Sequence, residues 1–461
     1  MSRKIAILVP YLHPNGMKMR RIFAFVLFLI LIYLPAGAQG KRGRAIYGID
    51  DDARLRAQIA PLWFNESTAT ALANKSFTAS LDSGARVEVK ASRNAAGNVT
   101  VSLAREENGK FSGWAAGSWA YTRTAAGEPV RLRFFPRADP YTYIQFRPFN
   151  HNKCQADFVV YDAYITRDWP VPGSLESLLT KPLRDILAGL EGAPLRYFEP
   201  LPDDYREIRE LARKIRRNIG GLKLRYEDDG ALNADGEYVF IKTGKPMGSA
   251  AGLNCSGFAK WVVDGILKPV TGKRLDIEPL KEPVGGRGTS YTAAHEEQRD
   301  PFFGLDWIRN LAASAGRALK GGEFGELSEY EVRAAPFSMT ITRSGNANGG
   351  YNGASNWRFY PGFLSEAGFG IEGLGALLYT LAIDEPGRIY LGAVNNDLGP
   401  RPRMRQYFHV SVFIPYFDEA GTFHIALFES AGENSFNKFR TRYPGHYISL
   451  VRIEAGSAFD P

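Results

Sequence analysis

Between Pro61 and Ile165 the chain alternates apolar and polar residues in short runs: Val87-Glu-Val-Lys90, Val99-Thr-Val-Ser-Leu103, Val130-Arg-Leu-Arg-Phe134, Tyr143-Ile-Gln-Phe146 and Phe158-Val-Val-Tyr161. Ser83-Gly84, Gly97-Asn98, Asn108-Gly109 and Gly127-Glu-Pro129 separate them. A period of two puts successive side chains on opposite faces of a pleated strand, and turn residues every 8–12 positions break the run into hairpins. This stretch is therefore expected to be an all-β sandwich or barrel. Trp114 and Trp119 flank Gly117 within it and read as core aromatics, with a glycan-stacking platform as the alternative.

The texture then changes. Residues 166–221 read as a helical linker, with Asp203-Asp204 as a helix cap. Tyr205, Ile208, Leu211, Ala212 and Ile215 make its apolar face, and Gly220-Gly221 its stop. The opposite face carries Arg206, Arg209, Arg213, Arg216 and Arg217, which reads as a solvated surface or as a contact for an anionic envelope polymer. From 222 to 461 helix and strand signals mix, giving an α+β class for the C-terminal domain. Residues 344–357 form a Gly- and Asn-rich loop without the spacing of a phosphate-binding turn.

At the N-terminus Met17-Lys-Met-Arg-Arg21 precedes an apolar run over residues 22–34, followed by Pro35-Ala-Gly-Ala38. A basic start, a short apolar run and an Ala-x-Ala ending are the parts of a secretory signal, here residues 1–38 with Met17 or Met19 as the start. The run is shorter than the ~20 residues a membrane span needs. Residues 39–60 then form a linker, and the expectation is a secreted or periplasmic protein with no stable membrane span. The formal charge of the 461 residues is +8, but residues 1–38 hold five basic residues and no acid, so the remainder carries +3. That balance gives no reason to expect a nucleic-acid partner. Two cysteines, Cys154 and Cys255, are too few for a disulfide scaffold.

Leu253-Asn254-Cys255-Ser256-Gly257-Phe258 opens a helix that Asn254 caps, with Phe258, Ala259, Val262 and Ile266 on its buried face. Cys255 falls in the first turn, where unpaired backbone N–H groups and the helix dipole stabilise a thiolate. The same N–H groups suit an oxyanion of acyl transfer. A base is then required from His151, His295, His409, His424 or His446. His409 opens the strand Phe408-His-Val-Ser-Val-Phe-Ile-Pro415, with Val410, Val412 and Ile414 on one face and His409, Ser411 and Phe413 on the other. The turn at Asp418-Glu-Ala-Gly421 returns the chain through Thr422–Ser430 and brings Glu429 or Ser430 opposite His409. A carboxylate there would orient the imidazole. No His or Cys pair has zinc-ligand spacing, and neither a metal nor a cofactor is expected.

Asn254-Cys-Ser-Gly-Phe258 resembles the nucleophile motif of the NlpC family of cell-wall cysteine peptidases. Pro386-Gly-Arg-Ile-Tyr390 and His409-Val-Ser-Val-Phe413 follow in the family's order, and Phe428-Glu-Ser430 stands on the returning strand. The resemblance implies a papain-like fold, a Cys helix packed on an antiparallel sheet, over residues 222–461. It implies Cys255 as nucleophile, His409 as base and Glu429 as orienter, with His424 or Ser430 as other candidates for the third position. Asn254 and Arg388 depart from the family's usual Asp at their positions. Tyr238 lies upstream at a loose spacing and is given no role. His409 comes 154 residues after Cys255, so about 268–382 reads as an insertion. A free nucleophile also argues against a Cys154–Cys255 bridge. The implied partner is peptidoglycan or another amide-bearing envelope polymer, and the implied activity is hydrolysis of stem-peptide amides. A transglutaminase-like acyl transferase and a non-catalytic envelope-binding protein are the alternatives.

Overall fold

The computed structural model describes residues 45–223, 229–285, 300–321, 325–335, 340–341, 358–359, 362–365, 367–398, 405–429 and 432–461. The signal, the loop at 344–357, His295 and Ser430 lie outside them. Residues Ala45–Pro461 form one compact α+β unit with antiparallel sheets.

The alternating runs lie in strands β1 (Phe77–Ser80), β2 (Arg86–Arg93), β3 (Val99–Glu107), β4 (Lys110–Ser112), β5 (Ser118–Arg123), β6 (Pro129–Phe135), β7 (Tyr143–Asn150), β8 (Lys153–Val160) and β9 (Ala163–Pro172). Each pairs antiparallel with its chain neighbour in the order β1-β2-β3-β5-β6-β7-β8-β9, with β4 folded onto β3. Val89 faces Leu103, Val101 faces Tyr121 and Leu132 faces Phe146, so one apolar face runs across the sheet. Thr340 and Ile341 extend the sheet beyond β9, opposite Tyr164 and Ala163.

The sheet begins later than the alternation suggested, because Pro61–Asn65 and Thr68–Ala73 are helical. Ser67 accepts the Thr70 N–H and starts a turn through Thr68–Ala73, whose alanines lack the branched side chains that favour strands. Ala53–Ala60, placed in the expected linker, is also a helix. Its Arg56, fully buried, donates to Asp52 at 2.7 Å and to the carbonyls of Leu178, Leu179 and Lys181. That fork ties the segment before the sheet to the helices Leu175–Thr180 and Leu183–Ala188 after it. The two tryptophans separate: Trp119 is buried against Phe134, with ring centroids 4.5 Å apart, whereas Trp114 is exposed.

Helix α1 (Arg206–Ile219) buries Ile208, Leu211, Ala212 and Ile215 as its periodicity requires. Asp203-Asp204 does not cap it. Residues Pro202–Tyr205 form a tighter turn first, and the Asp203 carboxylate accepts from Arg206 instead. The arginine face is largely paired within the chain. Arg216 grips Glu433 at 2.5 and 2.6 Å, Arg213 and Arg217 meet Glu210, and Arg209 donates to the carbonyls of Pro202 and Phe417.

The second sheet uses β10 (Arg388–Leu398), β11 (Tyr407–Phe417), β12 (Phe423–Glu429), β13 (Gly432–Asn434) and β14 (His446–Glu454) in the order β14-β10-β11-β12-β13. The last strand thus lies beside the first, with Glu331–Val332 and Phe369–Gly370 on its far edge. Alternation decides which core each residue enters. Val410, Val412, Ile414, Ala426 and Phe428 pack with helices α2 (Cys255–Thr271) and α3 (Phe303–Lys320). Phe413, Leu427, Ile448 and Leu450 join helix α4 (Leu374–Asp384) and the apolar face of the first sheet in one shared core. The chain stretch expected as an insertion contributes both α3 and most of α4 to these cores.

Candidate active site

The Cys255 helix is held from several sides. Asn254 accepts the Gly257 N–H at 2.8 Å through Oδ1, and its own N–H donates to the Gly230 carbonyl at 3.1 Å. Gly257 sits so close to that carbonyl that a Cβ there would overlap it, which is why the third helical residue has no side chain. Trp307 of α3 donates from Nε1 to the Ser256 carbonyl at 2.9 Å. The helix ends at Gly272 in the left-handed region, φ 72°. Sequence periodicity implied one buried face, but Ser256 through Leu267 are all buried. The polar pair inside that stretch satisfies itself: Lys260 donates to Asp264 at 2.6 Å, and Asp264 accepts the Leu275 N–H.

Cys255, at the first position of this helix, is only partly buried and carries a free thiol. It lies within hydrogen-bonding reach of the His409 ring, the Val410 backbone N–H and the Ser256 side chain. His409 enters from β11, whose pairing with β10 shifts register beside it: Val394 faces His409, while Asn395 faces Tyr407. The bulge leaves Phe408 unpaired and exposed. On the other side, His409 Nε2 lies 2.7 Å from Glu429 Oε1. An imidazole has two ring nitrogens, so Nδ1 is the one left for the sulfur. Val412 faces Phe428 across β11 and β12, which carries Glu429 opposite Ser411 and diagonal to His409. A diagonal neighbour is within reach of a long side chain.

The electrostatics follow from this geometry. Burial works to raise the Cys255 thiol, but the His409 hydrogen bond and charge and the Val410 N–H outweigh it, and the thiol is held below its ordinary range. For His409, burial works downward, and hydrogen bonds to Cys255 and Glu429 overcome it, lifting the imidazole to about 9. Burial would likewise raise Glu429, which is 2% exposed, yet His409 and Arg442 hold it below the usual carboxylate value. All three directions favour the charged forms, thiolate, imidazolium and carboxylate, because each charge is stabilised by its neighbour.

The other sequence candidates lie elsewhere. His424 starts β12, five residues from Glu429, or about 17 Å along a strand; it pairs with Asp418 at 2.8 Å and stacks on Tyr416. His151 is exposed in the β7–β8 turn. His446 is half-buried in an aromatic group with Tyr443 and Phe408, their centroids 5.6 and 6.3 Å from its ring. Tyr443 also lies 5.8 Å from the His409 ring, tilted by 34°. Tyr238 takes the Lys223 N–H on its hydroxyl. Cys154, on β8, is 1% exposed and free, and burial together with the Glu176 charge pushes its thiol up to about 12. Sequence reasoning missed Asn434 and Arg442, which hold Glu429 from β13 and from helix α5 (Phe436–Arg442). Neither follows a motif, and only the folded hairpin brings them to Glu429. Among the described residues no group of three or more His, Cys, Asp or Glu is placed to hold a metal ion, and no helix is long and apolar enough to cross a membrane.

A family model described as a domain of unknown function (DUF8515) matches residues 46–193. The match covers the first sheet and the helices on either side of it, and ends before Cys255, His409 and Glu429. No curated protein and no solved structure matches the chain.

Proposed function

We propose that the protein is an exported cysteine hydrolase of papain-like architecture that cleaves amide bonds, with peptidoglycan stem peptides as its substrate class. The observation that carries this reading is the Cys255 thiol at a helix N-terminus, within hydrogen-bonding reach of an imidazole whose Nε2 is bonded to a buried carboxylate. The order of the Cys, His and acid motifs, and their resemblance to the NlpC family, support the substrate class. The basic-apolar-small segment at residues 1–38 supports export.

In this reading the Cys255 thiolate attacks the amide carbonyl carbon, and the carbonyl π electrons move onto oxygen. Gly257 N–H is taken by Asn254 Oδ1 and Phe258 N–H by Asn254 O. The N–H groups of Cys255 and Ser256 have no acceptor within the helix, and in this reading they hold the oxyanion. His409 gives its proton to the leaving nitrogen as the C–N bond breaks, leaving a thioester and a free amine. Neutral His409 then takes a proton from water, whose oxygen attacks the thioester. The C–S bond breaks, the acid is released, and thiolate and imidazolium are restored. Glu429 keeps the ring oriented and stabilises its charged form in both halves.

The test is incubation of the purified chain, starting after residue 38, with muropeptides. The expected products are one new amine and one new carboxylate per cleavage, absent with Cys255→Ala. Ammonia release with amine incorporation would instead assign acyl transfer. No turnover, with the parent and Cys255→Ala binding cell wall equally, would leave a binding protein.

A further inference from the structure

The Glu429 carboxylate is held on every side. Oε1 meets His409 Nε2 at 2.7 Å, and Oε2 accepts from Asn434 Nδ2 at 2.9 Å. Arg442 Nη1 bridges both oxygens at 3.1 and 3.2 Å. Three donors around one buried carboxylate fix its plane, and so the plane of the imidazole it orients. The donors come from separate elements: Asn434 ends β13, facing Leu427 in register, and Arg442 ends α5. A carboxylate bonded only to His409 could rotate away or take up a proton; this one has no vacant orientation.

We infer that Arg442 and Asn434 are positioning residues of the reactive cysteine, and that Arg442, reaching the site from a partly exposed position, sets the pH range over which the thiolate–imidazolium pair exists. The inference deepens the cysteine-hydrolase reading and rests on it. The charged and titratable groups around the Cys255–His409 pair are Glu429 on β12 and Arg442 and Tyr443 at the end of α5, with His446 at the start of β14 beyond Tyr443. Arg442 is the one permanent cation among them. A cation beside the pair makes each proton easier to lose, so its removal moves both the step that forms the thiolate and the step that discharges the imidazolium to higher pH.

The experiment is alkylation of Cys255 by a neutral reagent across pH 4–10, followed by mass spectrometry of the Cys255 peptide. In Arg442→Gln both steps are expected to rise together by roughly half a unit to one unit, a size tempered by the half-exposed side chain. Arg442→Lys keeps the charge and loses the planar guanidinium whose Nη1 bridges both carboxylate oxygens. Its steps are expected at the parent's positions, with kcat lowered roughly threefold to tenfold and KM unchanged, as expected for loss of orientation. Superimposable profiles for the parent and a folded Arg442→Gln protein would overturn the control of pH range. Unchanged kcat in Arg442→Lys would overturn positioning. A parent whose Cys255 alkylates only in the ordinary thiol range would instead sink the hydrolase reading itself, and this inference with it.

Discussion

Each sheet is associated with a cysteine and a buried carboxylate, Cys154 and Asp157 within the first, Glu429 in the second with Cys255 on the helix packed against it, and the two pairs are used in opposite ways. In the first sheet Cys154 is buried in the apolar core, and burial, with the Glu176 charge adding to it, drives its thiol up to about 12. Against the second, Cys255 at the start of α2 meets a ring nitrogen and a backbone N–H, and the same burial penalty is overcome. The carboxylates differ likewise. Asp157 is closed by Arg147 at 2.6 and 2.9 Å, Gln145 and the Asp168 N–H, a set that only stabilises structure. Glu429 has an arginine and an amide too, but its remaining contact is an imidazole that goes on to a thiol. Burial makes polar groups expensive in both places. What separates a structural network from a reactive one is whether the chain of partners ends on a group that can exchange a proton and a bond.

The sharpest way to break this contrast is to remove each thiol. Cys255→Ala is expected to reduce turnover by about 10,000-fold or more, whereas Cys154→Ala should leave kcat/KM at the parent's value and lower only the melting temperature. Steady-state kinetics and thermal unfolding of both variants check this together. Loss of activity in Cys154→Ala at full folding would erase the distinction.

Next in size is Glu429→Gln, expected to lower kcat by roughly 100-fold or more through loss of the imidazolium's partner. The sign of its pH effect is fixed. Activity needs His409 charged to protonate the leaving amine, so the parent's alkaline limb should fall near pH 9. Removing the negative charge makes the imidazolium easier to discharge, so the limb moves down, whereas Arg442→Gln moves it up. A pH–rate profile that is unmoved in Glu429→Gln would detach the carboxylate from the mechanism.

Asp157→Asn, the counterpart in the first sheet, should cost about 3 kcal/mol of stability by leaving Arg147 without its buried partner. It should leave turnover per folded molecule unchanged, which denaturant titration and kinetics on the same sample will read. The smallest effect is expected from Asn434→Leu, which removes one neutral donor from Glu429. It should lower kcat severalfold and leave the alkaline limb almost in place, because no charge is lost.

How much of this was readable in the sequence depends on how local each feature is. Asn254 as a cap and Cys255 in the first turn follow from neighbours within four residues, and the structure puts both there. The facing of Val410, Val412 and Ile414 away from Phe413 follows from strand period and is realised by two distinct cores. The hairpin left Glu429 and Ser430 open, because a slip of one residue exchanges faces. Glu429 reaches His409 only diagonally, past the irregular pairing at Phe408, and no local pattern encodes that offset. The Asp203-Asp204 cap failed because a tighter turn intervened. Arg442 and Asn434 were invisible for a different reason: one ends a seven-residue helix, the other a three-residue strand, and only tertiary packing gives either a carboxylate to hold. The shared core of the two sheets was hidden as well, since the alternation marks which residues face inward but not against which partner.

The state of the Cys255 sulfur near neutral pH is most directly read as the ultraviolet thiolate absorbance of the parent minus that of Cys255→Ala, followed from pH 5 to 10. One full thiolate already present at about pH 7, well below the ~8.5 of a free cysteine, is the expected result. A difference signal that appears only above about pH 8.5 would mean that His409 and Cys255 share no proton, and would contradict a reactive cysteine at this site.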